Sequence, residues 1–132
     1  MSLITKCILT EVSKDDDLRI SVMSRHTLND GVTPDLRILP HLYDLHWTVL
    51  APNPKLIGDY YRRNLQWQDF RTRFLEQIQL PEPTEYLGRL AELSLRINVT
   101  LLCIEETPEY CHRRIIADEC LRIEPRVRIL HL

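Results

Sequence analysis

Apolar and polar positions at the start of the chain alternate in two short segments that predict β-strands. The segments "LITKCILTEV" (3–12) and "LRISVMSR" (18–25) are rich in β-branched and apolar residues, as is typical of strands. A polar turn joins them. Residues 26–40 then contain Asn-Asp-Gly and two prolines, so this stretch is predicted to be a long loop. Loops of this length in a compact domain are often functional.

Helical spacing governs the middle of the chain. Asn53 can cap a short helix that has Pro54 in its first turn. In residues 65–78 large apolar side chains recur at helical spacing, and we interpret the aromatic ones as core residues. Residues 84–97 repeat this spacing, with Thr84 as the predicted cap. The pattern therefore predicts three helices in succession.

The last third of the chain predicts a strand, a helix and a final strand. Residues 98–105 form a nearly continuous apolar run, which is typical of a strand covered on both faces in a parallel sheet. A helix is predicted over 108–121, with Thr107 as its cap, and "VRILHL" (127–132) predicts the final strand. This βαβ order favours one α/β domain spanning 1–132, with three layers and a mainly parallel sheet flanked by helices.

Composition and charge narrow the functional classes. The 132 residues are 44% hydrophobic and 27% charged, as in soluble globular proteins. A net charge of −2 creates no overall field for nucleic acid or an anionic membrane. We find no signal peptide and no apolar run of about eighteen residues. The four cysteines have no compact spacing, so we expect a cytoplasmic protein with free thiols and no membrane segment.

Phosphate-binding glycine motifs are missing from the sequence. Neither G-x-x-x-x-G-K-[ST] nor G-x-G-x-x-G occurs, and the chain holds only three glycines, at 31, 58 and 88. Such motifs let the backbone approach the phosphates of a cofactor closely. We therefore predict no bound cofactor.

One segment, "CIEETPEYCHR" (103–113), concentrates reactive side chains at a predicted strand-to-helix turn. In open parallel sheets, ligands bind outside the carboxyl ends of the strands. The first interpretation is an anion or phosphate pocket formed by Arg113, His112 and the helix N-terminus. The second is a thiol nucleophile, Cys111, activated beside His112.

Two further interpretations of the same segment remain open. A metal site could combine Cys103, Cys111, His112 and Glu105, but the close C-x₂-C pair of structural zinc sites is missing, so we predict no metal. Alternatively, both cysteines are small buried residues and His112 is a hydrogen-bonded core histidine.

The segment "LLCIEETPEYCHRRIIADE" resembles the carboxyl-terminal signature of the family called domain of unknown function 488. That signature has a strand ending in a Cys-x-Glu segment, a Cys-His-Arg at the start of a helix, and a last strand with a histidine. The corresponding residues here are Cys103, Glu105, Cys111, His112, Arg113 and His131.

The middle of the chain resembles the YeaO-like branch of that family, so the resemblance covers residues 18 to 132. The family's Asp-Arg or Asp-x-Arg at the end of an early strand corresponds to "VMSRHT", which retains Arg25 without an obvious aspartate. The resemblance implies a compact, cytoplasmic, mostly bacterial or archaeal α/β domain and implies no reaction. The residues carrying it are Arg19, Trp47, Leu50, Ala51, Pro52, Trp67 and Phe70.

These observations lead to two functional hypotheses. The first is a pocket for a small anionic or phosphorylated ligand, with enzymatic chemistry as an open question. Arg113 and Arg25 would hold the anion, His112 would act as acid or base, Cys111 as thiol contact or nucleophile, and Glu105 as an orienting group.

The alternative hypothesis is a non-catalytic module for nucleotide or nucleic acid, built on Tyr60-Tyr61-Arg62-Arg63. Of these partners, nucleic acid is disfavoured by the net charge. The pattern gives no indication of the oligomeric state.

Overall fold

The computed structural model describes residues 1–132 as a five-stranded parallel sheet with four α-helices. The strand order is β3-β2-β4-β1-β5. The elements are β1 (Leu3–Cys7), β2 (Leu18–Ser21), β3 (Leu45–His46), α1 (Pro54–Arg62), α2 (Trp67–Ile78), α3 (Pro81–Ser94), β4 (Val99–Cys103), α4 (His112–Ile123) and β5 (Ile129–His131). Short 3-10 helices cover Lys14–Asp16, Pro40–Leu42 and Thr48–Leu50. The predicted α/β class with a parallel sheet is confirmed.

The direction of each crossover decides which face of the sheet the helices cover. The chain moves the same way across the sheet from β3 to β4 and from β4 to β5, but the opposite way from β1 to β2. The connection from β3 to β4 contains α1, α2 and α3, and the connection from β4 to β5 contains α4. Because parallel crossovers are right-handed, these two connections lie on the same face of the sheet. All four α-helices accordingly contribute to one core of 18 buried residues.

The opposite face is covered by 3-10 helices and loops rather than by α-helices, and it carries a buried ion network. The carboxylate of Asp16 accepts hydrogen bonds from Lys6 Nζ at 3.0 Å and from Arg19 Nη1. Arg19 Nε also donates to the Leu42 carbonyl at 2.6 Å. The side chains of Lys6, Asp16 and Arg19 are each at most 6% exposed. One buried carboxylate therefore serves two buried cations.

Several element boundaries differ from the sequence-based prediction. The second strand ends at Ser21, and the two-residue strand β3 was not predicted. Helix α3 begins at Pro81, and Thr84 donates its hydroxyl to the Ile78 carbonyl instead of capping. Proline is tolerated in a first turn because the missing N–H would have no partner there.

The start of α4 is the correction that matters most for the site. The helix begins at His112 rather than at 108, and Cys111 is its N-cap residue with extended backbone. Thr107 and Pro108 lie in the preceding loop, where the Pro108 carbonyl accepts from Cys111 N at 3.3 Å. By contrast, Asn53 caps α1 as predicted, accepting from Leu56 N at 2.8 Å.

None of the helices is both long enough and apolar enough to cross a lipid bilayer.

Candidate functional site

A cavity of about 310 Å³ opens at the carboxyl edge of the sheet. The loop after β2, helix α1, the end of β4 and the first residue of α4 form its walls. This is the edge at which parallel α/β sheets bind ligands. The polar side chains that matter in its lining are Arg25, Tyr61, Arg62, Cys103 and His112.

Two thiols and one imidazole meet at the inner end of this cavity. His112 Nδ1 lies 3.7 Å from Cys103 Sγ and 3.9 Å from Cys111 Sγ. The three donor atoms all lie within 4.8 Å of one another, and all three residues are buried. Cys103 is the last residue of β4 and Cys111 precedes α4, so the strand-to-helix loop returns the second thiol to the first.

The backbone of the neighbouring strand segment orients the His112 ring. His112 Nε2 is 2.6 Å from the Val22 carbonyl oxygen, which can only accept a hydrogen bond. Nε2 therefore carries a hydrogen, and in the neutral ring Nδ1 presents its lone pair to the two thiols. The ring also makes an edge contact with Phe74, with centroids 5.5 Å apart.

The two thiols differ in their acidity. A hydrogen bond from Cys111, together with the positive charge of His112, holds the pKa of Cys103 well below its ordinary value despite burial. Burial and the Cys103 negative charge raise the pKa of Cys111. Burial lowers the pKa of His112, but the Cys103 charge and hydrogen bond outweigh it and the net shift is upward. Cys103 is thus the more acidic of the two thiols.

Arg113 lies beneath the loop that joins β4 to α4 and does not line the cavity. It is fully buried, and its Nη1 donates to the Glu105 carbonyl at 2.7 Å. The same nitrogen lies 3.4 Å from Cys111 Sγ. Its Nε and Nη2 are buried without a hydrogen-bond partner. The guanidinium therefore supplies positive charge behind the thiol cluster rather than at the cavity mouth.

The side chain of Glu105 points to helix α1. Its carboxylate accepts a hydrogen bond from the Tyr61 hydroxyl. Burial and this hydrogen bond raise the pKa of Tyr61, so the phenol stays protonated and remains a donor. Glu105 thus fixes a ring in the cavity wall.

Two exposed arginines flank the cavity. Arg25 Nη1 donates to the Gly31 carbonyl at 2.9 Å, and Arg62 Nη1 lies 3.4 Å from the Asp30 carbonyl. The Asp30 carboxylate is occupied by its own turn, accepting from Val32 N and Thr33 N at 2.9 Å and from the Thr33 hydroxyl. Two cations and one anion therefore leave the lining with a net positive charge.

The donor set that could hold a metal ion is limited to Cys103, Cys111 and His112. The wide spacing of Cys103 and Cys111 in the sequence led us to predict no metal site, but the loop between β4 and α4 brings the two thiols together. Glu105, the fourth candidate ligand, is engaged by Tyr61. Closed structural zinc sites use four protein ligands, so this set of three is incomplete for such a site.

Residues of the alternative binding hypothesis contact different partners. Tyr60 packs on Phe70, with centroids 4.7 Å apart, while Tyr61 bonds Glu105. Arg63 pairs with Asp59 at 2.8 Å. Of the four, Tyr61 and Arg62 line the cavity.

Two further histidines, His26 and His131, lie outside the thiol cluster. His26 Nε2 is 2.8 Å from Ser21 Oγ, and its ring stacks on His46 with centroids 4.1 Å apart. His131 Nδ1 is 2.6 Å from Thr5 Oγ1 near the edge strand β5.

Sequence reasoning assigned no chemical role to Cys103 outside a metal site and did not link Tyr61 or Arg62 to the predicted pocket. Cys103 could have been found, because it ends a buried strand at the edge where ligands bind. The two α1 residues could not, since only the packing of α1 brings them there.

Comparison with known proteins yields one match. A family model for DUF488-N3a, described as "Active DUF488-N3 subclade", matches residues 3–123. No curated protein and no solved structure matches the chain.

Proposed function

We propose that this chain, which belongs to the DUF488-N3a family, is an enzyme that acts on a small anionic molecule through Cys103 and His112. One observation carries the proposal. A single cavity is lined by this buried thiol–imidazole pair and by Arg25 and Arg62. The description of the subclade as active is in keeping with an enzymatic function.

Each side chain has a role that follows from its contacts. Cys103 is the nucleophile, and His112 Nδ1 takes its proton while Nε2 stays bonded to Val22. Cys111 Sγ lies within 4.8 Å of Cys103 Sγ, and Arg113 adds positive charge 3.4 Å behind Cys111. This arrangement stabilises the thiolate, which is the reactive form of cysteine.

The ligand is proposed to carry a phosphate or carboxylate group. Arg25 and Arg62 present guanidinium groups at the cavity, and guanidinium binds these anions through paired hydrogen bonds. Each donates its hydrogen bond to a backbone carbonyl and not to a carboxylate, although Arg62 lies close enough to Asp30 for their charges to interact. Glu105 contributes by holding Tyr61 in the cavity wall.

The nucleophile is tested by alkylation at neutral pH with iodoacetamide, followed by peptide mass mapping. We expect Cys103 to react at least ten times faster than Cys120, which is buried in the core away from the cavity. Substituting His112→Asn should slow Cys103 and leave Cys120 unchanged. Equal, slow labelling of both thiols would rule out the proposed nucleophile.

The anion is tested by thermal shift with phosphorylated and carboxylated metabolites. A ligand at a hundred times its dissociation constant stabilises the folded state by about 2.7 kcal/mol. Arg62→Gln and Arg25→Gln should abolish the shift. Arg63→Gln is the matched control, because Arg63 neighbours Arg62 but pairs with Asp59. Retention of the shift in both cavity variants would contradict anion binding there.

A further inference from the structure

Cys103 and Cys111 form a buried dithiol in which only one sulfur borders the cavity. Their sulfur atoms lie within 4.8 Å of each other, although eight positions separate the residues in sequence. Cys103 lines the cavity and Cys111 does not. A second thiol beside the nucleophile can attack the nucleophile's sulfur in a mixed disulfide and displace the ligand thiolate.

We propose that the site performs thiol–disulfide exchange with small anionic disulfides, with Cys103 as the attacking thiol and Cys111 as the resolving thiol. The inference deepens the proposed function and rests on it, because it names the substrate class of the same nucleophile. Arg25 and Arg62 would select a disulfide carrying carboxylates over a neutral or cationic one.

The first step forms a mixed disulfide. The Cys103 thiolate attacks one sulfur of R–S–S–R, a Cys103–S–S–R bond forms, and R–S⁻ leaves. The imidazolium of His112, which holds the proton taken from Cys103, returns it to the leaving thiolate.

The second step releases the adduct. Cys111 passes its proton to His112 Nδ1, which lies 3.9 Å away, and attacks the sulfur of Cys103. A Cys103–Cys111 disulfide forms, and the second R–S⁻ leaves with that proton. In total, two protein thiols lose two electrons and two protons, and one ligand disulfide gains them as two thiols. An excess of the small thiol reverses both steps.

The environment of each sulfur suits its step. His112 Nδ1 lies 3.7 Å from Cys103 Sγ and can take the Cys103 proton for the first attack. Arg113 Nη1 lies 3.4 Å from Cys111 Sγ and can stabilise the negative charge that Cys111 acquires in the second. Arg113 has no carboxylate partner that would neutralise it.

The backbone lets the two sulfur atoms approach each other. A disulfide needs an S–S separation of about 2.05 Å, so the sulfurs must move together. Cys111 is the N-cap of α4 and lies outside its helical turns. The loop before it contains the exposed residues Glu106, Thr107, Glu109 and Tyr110, so a shift of this segment disturbs little buried packing.

Metal binding is the competing use of the same three donors. The positive Arg113 beside one donor opposes a divalent cation and favours the dithiol interpretation, whereas three protein ligands with an open fourth position are also the donor set of catalytic zinc sites. Adding Zn²⁺ before the reaction therefore belongs in the test.

The test uses 5,5′-dithiobis(2-nitrobenzoate), a disulfide with two carboxylates whose released thiolate absorbs visible light. The background chain carries Cys7→Ser and Cys120→Ser, so only the two site thiols remain. We expect this chain to release two equivalents of thiolate and keep no adduct. Adding Cys111→Ser should limit release to one equivalent and retain the adduct on Cys103. Adding Cys103→Ser should remove the fast phase.

Charge selection supplies a second measurement. The anionic probe should react at least tenfold faster than cystamine, a cationic disulfide, and Arg25→Gln with Arg62→Gln should collapse this ratio. The rate of Cys103 alkylation by neutral iodoacetamide in that double variant measures the change in thiol reactivity itself, and both disulfide rates are divided by it before the ratio is compared.

Three results would overturn the inference. A stable Cys103 adduct on the background chain means that Cys111 does not resolve it. If cystamine reacts as fast as the anionic probe, the site does not select anionic disulfides. If one equivalent of Zn²⁺ binds tightly and blocks both thiols, the cluster is a metal site.

The alkylation experiment separates failure of the exchange from failure of the proposed nucleophile. If Cys103 alkylates rapidly while the adduct persists, Cys103 is still the nucleophile and only the exchange is wrong. If Cys103 alkylates no faster than Cys120 in the unsubstituted chain, both proposals are wrong.

Discussion

Arg19 and Arg113 are both buried, but only Arg19 contacts a carboxylate. Arg19 shares the carboxylate of Asp16 with Lys6 on the loop-covered face of the sheet. Arg113 meets a backbone carbonyl and the Cys111 thiol, with no carboxylate, at the carboxyl edge. Each guanidinium leaves at least one buried N–H without a partner. The difference lies in the counter-charge, not in the degree of burial.

Burying a charge without an ionic partner costs folding free energy. The groups around such a charge therefore indicate whether its role is structural or functional. Removing one partner of a buried ion pair typically costs about 3–5 kcal/mol, because the other charge is left uncompensated. In the Asp16 network each cation contacts the shared carboxylate, so the network contributes to the stability of the fold. Arg113 lacks that compensation unless a thiolate forms beside it. The contrast supports a structural role for Arg19 and a functional role for Arg113.

The largest expected effect comes from removing the carboxylate that Lys6 and Arg19 share. Asp16→Asn should lower the free energy of unfolding by about 3–5 kcal/mol, because Lys6 and Arg19 lose their shared carboxylate. Urea unfolding at neutral pH measures it. Asp15→Asn is the matched control, since Asp15 is exposed and engages in no ion pair. A loss below about 1 kcal/mol for Asp16→Asn, typical of a surface pair, would remove the basis of the comparison.

The fold was largely predictable because its signals are local. The apolar run at 98–105 and the helical spacing before it led directly to a parallel sheet. The boundaries were harder. Thr107-Pro108 has the composition of a helix start, yet the Cys111 N–H bonds the Pro108 carbonyl and the helix begins four residues later. The short strand β3 is held by pairing with β2, which its own sequence does not encode.

The candidate site was predictable only along one stretch of chain. Cys111, His112 and Arg113 stood out by composition, and the structure brings them beside Cys103. It could not be foreseen that the Arg113 side chain turns inward while Arg62 from α1 reaches the cavity. Such directions depend on how α1 and α4 pack, which no local pattern specifies.

The next largest effect extends the contrast to His26, a half-buried histidine that follows Arg25 in the chain and also has no carboxylate partner. Burial, and then the charge of His46, lower the pKa of His26 to about 4. Its neighbours are Ser21, His46 and Tyr43. In the unfolded chain a histidine titrates near pH 6.5, so between about pH 6.5 and 4 the unfolded state binds more protons. Stability should fall as pH falls across that window.

This loss should amount to about 2 kcal/mol once solvent screening of the half-buried ring is allowed for. Urea unfolding at pH 7 and pH 4.5 measures it in the parent and in His26→Gln, which keeps an amide near Ser21 but does not titrate. The variant should lose less stability on acidification than the parent. His41→Gln, at an exposed position, serves as control. An unchanged pH dependence in His26→Gln would show that this ring is not the titrating group.

A smaller effect is expected at Arg113, and it should appear in reactivity rather than in stability. Arg113→Met keeps the length of the side chain, and replacing a buried charge with an apolar residue is often neutral, so unfolding should change by less than about 1 kcal/mol. Alkylation of Cys103 at neutral pH should slow about tenfold, which corresponds to about 1.4 kcal/mol, because the positive charge behind the thiols is lost.

The pH profile of that alkylation separates the two possible roles of Arg113. Loss of a nearby positive charge shifts the profile to higher pH, whereas a merely structural change leaves its midpoint in place. Arg19→Met provides the matched substitution, and it should destabilise the fold without moving the profile. The interpretation fails if Arg113→Met costs as much stability as Asp16→Asn.

The smallest effect should come from an ion pair with good geometry but no burial. Arg96 Nη2 lies 3.0 Å from Glu92 Oε1 at helical spacing, with side chains 73% and 68% exposed. Water screens this pair, so Arg96→Gln should lower the free energy of unfolding by no more than about 0.5 kcal/mol. Urea unfolding at low and high salt measures the change, which should shrink as salt rises. If Arg96→Gln cost as much as Asp16→Asn, burial would not govern the importance of arginines in this chain, and the distinction between Arg19 and Arg113 would lose its physical basis.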